Sequence, residues 1–340
     1  MKQGRYAALA AMFAVGSVAS FAAAAQGFGD NPACAAPAKL AVPAADQPDA
    51  TARERLKDCD SESLYYADGG KPDFVQARLC AYVERDRGNE LVFGGSGVLM
   101  MIYANGEGVA RNIELARKFA CETDGAPAEL DGRLEHLEAM AKAGAKADRM
   151  DLCDDITSGY MMGFCADRGA SAAKVERDRR AAALTAKWSA AERTALTRLR
   201  AAADTYFDAV VDGEVDMSGT ARGAMVVGAR EDLEKSFSDA LDAFEHGKFP
   251  TGDAAALAAA DKALNASYAA AMQYYKQQGA EGLAGTVTTD GIRAAERAWI
   301  KYRDAWVAFG AQKYPKVGAD AWRTYFTQER ERALKAMAGE

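Results

Sequence analysis

A chain of 340 residues that is 49% hydrophobic and 27% charged, with a formal net charge of −7, has room for two or three domains. Its acidity argues against nucleic acid and anionic membrane as partners, and for a basic protein or a cationic surface. Six cysteines stand against two histidines, with no C-x-x-C pair, so disulfides are expected and a zinc site is not.

The sequence opens MKQGRYAALAAMFAVGSVASFAAAAQG, where Lys2 and Arg5 precede an apolar run ending in Ala23-Ala24-Ala25. That pattern predicts a secretory signal peptide over 1–25, cleaved before Gln26. The run is alanine-rich without a stop-transfer flank, and no later segment is long enough to span a bilayer. Cys34 stands behind Asn31-Pro32-Ala33, which argues against a lipid anchor. A periplasmic or secreted protein without membrane insertion is the expectation. In that compartment Cys34, Cys59, Cys80, Cys121, Cys153 and Cys165 are disulfide candidates, and sequence alone does not choose their pairing. All six lie in the first half, so the second half is expected to hold by packing alone.

Residues 26–50 are rich in Ala, Pro, Asp and Gly and read as an extended leader. From about 51 onward alanine dominates and alternating β-branched runs are missing, so the fold class is all-α. Within 51–145 two segments resemble each other. Tyr66-Ala67-Asp68-Gly69-Gly70 leads to Ala77-Arg78 and Cys80, and Tyr103-Ala104-Asn105-Gly106-Glu107-Gly108 leads to Ala116-Arg117 and Cys121. The offset is 37 residues at the tyrosines and 39 at the Ala-Arg pairs, a helix-turn-helix repeat length. The second copy, LMMIYANGEGVARNIELARKFACE, resembles a Sel1-like repeat. The resemblance implies a helix ending in tyrosine, a glycine turn and a second helix, with Gly106 and Gly108 in the turn.

A longer repeat follows. Ala190-Ala191-Glu192-Arg193 and Ala294-Ala295-Glu296-Arg297 each open a helix. An arginine in an apolar helix comes next (Arg200, Arg303), then a charged helix (Glu231-Asp232-Leu233, Glu329-Arg330-Glu331). Units 150–247 and 252–339 are therefore read as diverged copies, joined at Pro250-Thr251-Gly252-Asp253.

Chemistry is hard to find. Gly94-Gly95-Ser96-Gly97-Val98 lacks the last glycine of a nucleophile elbow and the strand before it. Gly106 to Arg111 has arginine where a dinucleotide loop needs its third glycine, and no Gly-Lys-Ser or Gly-Lys-Thr occurs. His136 reads as solvated on a charged helix, and His246 ends a helix, where a cationic ring suits the dipole. Met161, Met162 and Phe164 read as core filling, and Asp154-Asp155 as a helix start. No catalytic set, cofactor or metal site emerges, so a non-enzyme is expected. A hydrolase with an unrecognised site would instead need a pocket of shifted carboxylates.

In AERAWIKYRDAWVAFG, Trp299, Tyr302, Trp306 and Phe309 form one helical stripe, and Arg303 lies on it. The preceding helix carries Leu257, Asp261, Leu264, Tyr268, Met272 and Tyr275 on its own stripe. A buried charge without a partner is costly, so Asp261 and Arg303 are expected to pair, with the guanidinium stacked on Trp299 or Trp306. The last helix adds Trp322, Phe326, Ala333 and Met337, with Arg330 on the packed side.

Ala260-Asp261-x-x-Leu264-Asn265-x-x-Tyr268, then Ala298-Trp299-x-x-Tyr302-Arg303-Asp304, then Thr327-x-x-Arg330 resemble the LprI-type lysozyme-inhibitor domain over roughly 252–339. Cys153 and Cys165 resemble the paired cysteines that open many members. Trp306 and Val307 stand where a cysteine commonly follows the Arg-Asp. The resemblance implies a protein partner, lysozyme, and inhibition rather than catalysis. An inhibitor needs an exposed element to fill an acidic cleft. Two loops qualify, 279–291 and the preferred 310–320, which offers Lys313, Tyr314 and Lys316. The rival reading is an interaction scaffold that binds an envelope protein through the Sel1-like face.

Overall fold

The computed structural model describes residues 31–67, 69–88 and 92–339; the expected signal peptide and Asp68 lie outside them. The described chain is all-α, and none of its helices is long and apolar enough to cross a membrane.

Residues 31–49 are less extended than expected. Prolines break them into three short 3-10 turns, Pro32–Cys34, Pro37–Lys39 and Ala44–Asp46. The segment is a strap over the first core, bonded through Cys34–Cys121. Lys118 donates to the Ala38 carbonyl (2.8 Å), and Tyr103 to the Asp46 carboxylate (3.0 Å).

Beneath the strap lie α1 (Ala50–Arg55), α2 (Ser61–Tyr66), α3 (Phe74–Asp86), α4 (Ser96–Asn105), α5 (Ile113–Glu122) and α6 (Pro127–Ala143). α4 is apolar on every side and therefore central; Val98 to Ala104 are all buried. It ends because Gly106 turns left-handed (φ 71°) and donates to the Ile102 carbonyl at 2.9 Å. Gly108 (φ +67°) lets the turn lie on Phe74, where a Cβ would come within 2.8 Å of backbone. Asn112 then caps α5. The first copy builds the same turn with Ala67 at φ 54°, between α2 and α3. The remaining cysteines pair as Cys59–Cys80 and Cys153–Cys165.

α7 (Gly159–Thr185) begins in this first core with Met161 and ends in the second, where Leu184 packs. Its entry is fixed by buried Glu129, which accepts from the backbone N–H of Ala126, Thr157 and Ser158. Burial opposes that charge, yet these bonds win and lower the Glu129 pKa. Met162 and Phe164, expected in the core, are exposed, because α7 turns only one face inward. His136, expected to be solvated, contacts Asp155 at 3.0 Å.

The second core is built by α8 (Ala190–Glu214), α9 (Arg222–Glu245), α10 (Ala254–Ala280), α11 (Thr289–Lys313) and α12 (Ala319–Met337) together with the end of α7. α7 packs on α9, α10 packs on α12, and α8 packs along α11. The α8–α11 pair is antiparallel: Trp188 meets Phe309, Tyr206 stacks on Tyr302 at 5.2 Å, and Gly213 meets Gly291. Helix lengths run 27, 25, 24 and then 27, 25, 19 residues. Units 150–247 and 252–339 thus share one core, because the middle helix of each set packs on the other.

Candidate functional site

The expected Asp261–Arg303 pair is not made. Because α10 runs along α12 and α11 along α8, α10 and α11 touch over a short length, and the two side chains face a common cleft instead of each other. Arg303 donates to its neighbour Asp304 (3.2 Å) and lies 5.1 Å over the Trp299 ring, so the stacking half of the expectation holds. Asp261 is half-buried on the opposite wall.

The buried ion cluster belongs to Arg330, only 2% exposed. It donates to both oxygens of Glu214 (2.5 and 2.9 Å), to Glu296 (2.9 Å) and to the Tyr206 hydroxyl (3.4 Å). Burial works against the charge, but Tyr206, Glu214 and Glu296 outweigh it and raise the Arg330 pKa well above its ordinary value. Glu296 moves up as well, through burial first, with Arg330 opposing. One guanidinium thus ties α8, α11 and α12 together. Glu296 lies on the Trp299 stripe, three residues before the tryptophan, and this spacing was its sequence signal. Glu214 carries no such signal, since it comes from the other set of helices.

Six of the motif residues converge. Asp261, Leu264, Asn265 and Tyr268 from α10 and Arg293, Glu296, Arg297, Trp299, Ile300 and Arg303 from α11 line one cleft of about 430 Å³. Leu264 and Trp299 are its buried base. Asn265 is exposed and donates to the Asp261 carbonyl at 2.8 Å. Ile300 is 42% exposed. Arg293 is engaged by Asp290, while exposed Arg297 has no carboxylate within 4.0 Å among the described residues. Arg293, Arg297 and Ile300 escaped the sequence reading, because a charged or apolar residue on an open helix face has no periodic mark of its own. Tyr302 faces away from this cleft, stacked on Tyr206.

The preferred loop, 310–320, is tied inward. Lys313 sits 2.9 Å from Glu192, 3.6 Å from Glu245 and 4.4 Å over the Trp188 ring. Tyr314 is buried beside Phe249, Phe309 and Trp322 and donates to Glu245. Only Lys316 of the three stays exposed. These side chains bolt the end of α11 onto α8 and α9, which answers why a cation and an aromatic stand there. The other loop, 279–291, presents Leu283, 67% exposed, while Thr286 anchors it to Asp216 through its backbone N–H at 3.0 Å.

Fold and cleft together define a helical bundle with an arginine- and aromatic-lined cleft on its surface. Residues 254–336, which carry that surface, match the family model described as lysozyme inhibitor LprI. No curated protein and no solved structure gives a significant match to the chain.

Proposed function

We propose that this is an exported, non-catalytic envelope protein that binds lysozyme and inhibits it through the α10–α11 cleft. One observation carries the reading: Asp261, Leu264, Asn265, Tyr268, Trp299 and Arg303, motif residues of the LprI-matched segment, line a single surface, and that surface offers an unengaged arginine. Glycosidases of the lysozyme type work with a pair of carboxyl groups in the substrate cleft. Arg297, flanked by Arg303, Trp299, Tyr268 and Ile300, supplies cations and flat rings to such a cleft, the residue types that dominate binding hot spots. Export is supported by the N-terminal pattern and by the pairing of all six cysteines. The Sel1-like reading of 51–145 is supported by two successive helix, left-handed turn, helix units within it.

The test is lysozyme turnover with purified mature protein. Inhibition at micromolar concentration is expected, and Arg297→Glu should lose at least tenfold in potency with an unchanged melting temperature. Undiminished turnover at that concentration overturns the reading in favour of a scaffold, and full potency of Arg297→Glu moves the contact away from this cleft.

A further inference from the structure

We infer that the open face shared by α7 and α9 is the contact between two copies of this chain, related by a two-fold axis near Phe164. Phe164 is 38% exposed, and its ring stands 4.8 Å from that of Tyr160, 67% exposed and one helical turn away. Met217, 39% exposed, joins Val226 and Val227 of α9 to complete a groove of about 460 Å³. Monomeric soluble proteins rarely leave contiguous apolar surface of this kind uncovered. The face also has the relief that its own copy needs. α7 and α9 run parallel here, with Gly159 against Thr220, Gly163 against Gly223 and Arg177 against Glu231. A Cβ on Gly163 would lie 3.7 Å from the Gly223 Cα, and one on Gly223 would lie 3.5 Å from the Gly163 Cα. Without those carbons a furrow stays open beside the Tyr160–Phe164 ridge. A half-turn lays each ridge along the furrow of the other copy, as ridges pack into grooves between helices.

Charge selects the occupant. Two charged residues line the groove, Asp167 and Arg222, and both are exposed. Arg222 donates to the Gly219 carbonyl at 3.0 Å, and neither residue has an opposite charge within 4.0 Å among the described residues. They sit toward opposite ends of the ridge. Arg222 directly precedes Gly223, which lies level with Gly163, whereas Asp167 comes four residues after Gly163, about 6 Å further along α7. A uniformly basic or acidic partner would match one of these charges and meet its like at the other. A second copy turned by 180° about an axis between them brings Arg222 to Asp167 twice, the reciprocal pairing of an isologous interface.

Sedimentation velocity of the mature protein over a concentration series tests this. A monomer–dimer equilibrium with a Kd in the micromolar range is expected, as for a contact of modest size. Asp167→Arg and Arg222→Asp should each weaken it by about tenfold or more, through like charges facing across the axis. Both side chains are exposed, so the melting temperature of the monomer should not change. Combining Asp167→Arg with Arg222→Asp restores the complementarity and should recover most of the affinity, which a mere loss of packing would not allow. Phe164→Ser should abolish the dimer. A protein that stays monomeric up to about 100 µM leaves the face to a different partner and overturns the inference. So does a dimer that neither single charge variant weakens, or a combined variant no tighter than the single ones. The groove shares no residue with the α10–α11 cleft, so the outcome of the lysozyme assay and the outcome of this one are separable.

Discussion

The two cores solve the same problem by different means. The first, around α3 to α6, is assembled from helices of 6 to 17 residues. Such helices are marginal alone, and this region holds all three disulfides, one of which clamps the strap over it. The second has no cysteine after Cys165, but it holds all four tryptophans, Trp299, Trp306 and Trp322 on its helices and Trp188 just before α8, and its helices run to 19 to 27 residues. Long amphipathic helices bury enough aromatic surface to need no covalent support. Short ones with a loop-rich cover gain more from restricting the unfolded chain.

Reduction is the most severe way to break this contrast. The Cys34–Cys121 bond, whose ends are 87 positions apart in sequence, alone stabilises by about 4.5 kcal/mol in the chain-entropy account. Under reductant, circular dichroism should show a new early transition, while tryptophan fluorescence, which reports only the second core, keeps its midpoint. A joint shift of both signals would mean that the cores unfold as one.

Arg330→Ala comes next, at about 3–5 kcal/mol, because Glu214 and Glu296 are left buried without a cation; fluorescence-monitored urea unfolding measures it. Gly291→Ala follows at about 1–3 kcal/mol, since its Cβ would lie 2.6 Å from the Gly213 carbonyl oxygen across the α8–α11 contact. Arg303→Ala should cost about 1 kcal/mol, the worth of a half-buried cation over a ring, where a buried pair with Asp261 would have cost several times more.

The smallest effect is a pH dependence. The Ser189 backbone N–H, then Lys313 and the Ser189 hydroxyl, lower the Glu192 pKa from its ordinary 4.5 to about 2. A lowered carboxylate stabilises above the unfolded value, and the stabilisation disappears as pH falls from about 4.5 toward 2. The melting temperature of the second core should drop across that window, and less steeply in Glu192→Gln.

Much of the fold was legible in spacing. The stripe through Trp299, Tyr302, Trp306 and Phe309 is buried along its whole length, and Gly106 turns the chain where its missing Cβ allows. Arg330 was placed on the packed side and is there. What failed was the choice of partner. Arg303 and Asp261 share a cleft without pairing, and Lys313 and Tyr314, read as an exposed loop, hold α11 against Glu192 and Glu245. Helical periodicity says which face of an element is covered. It carries no information on which helix covers it.

The sequence by itself determined that this protein is helical, where its turns fall, which faces are apolar, and that its charged residues near tryptophan would need attention. Tertiary structure alone decided that six long helices interleave into one core, that Glu214 and Glu296 meet Arg330, and that Asp261, Leu264, Asn265, Tyr268, Trp299 and Arg303 gather in one cleft while Tyr302 and Arg330 turn into the core. The division has a physical cause. Backbone hydrogen bonds and side-chain periodicity act over a few residues, whereas a salt bridge or a cleft depends on helix crossings set by the packing of whole faces, down to the absent Cβ atoms of Gly213 and Gly291.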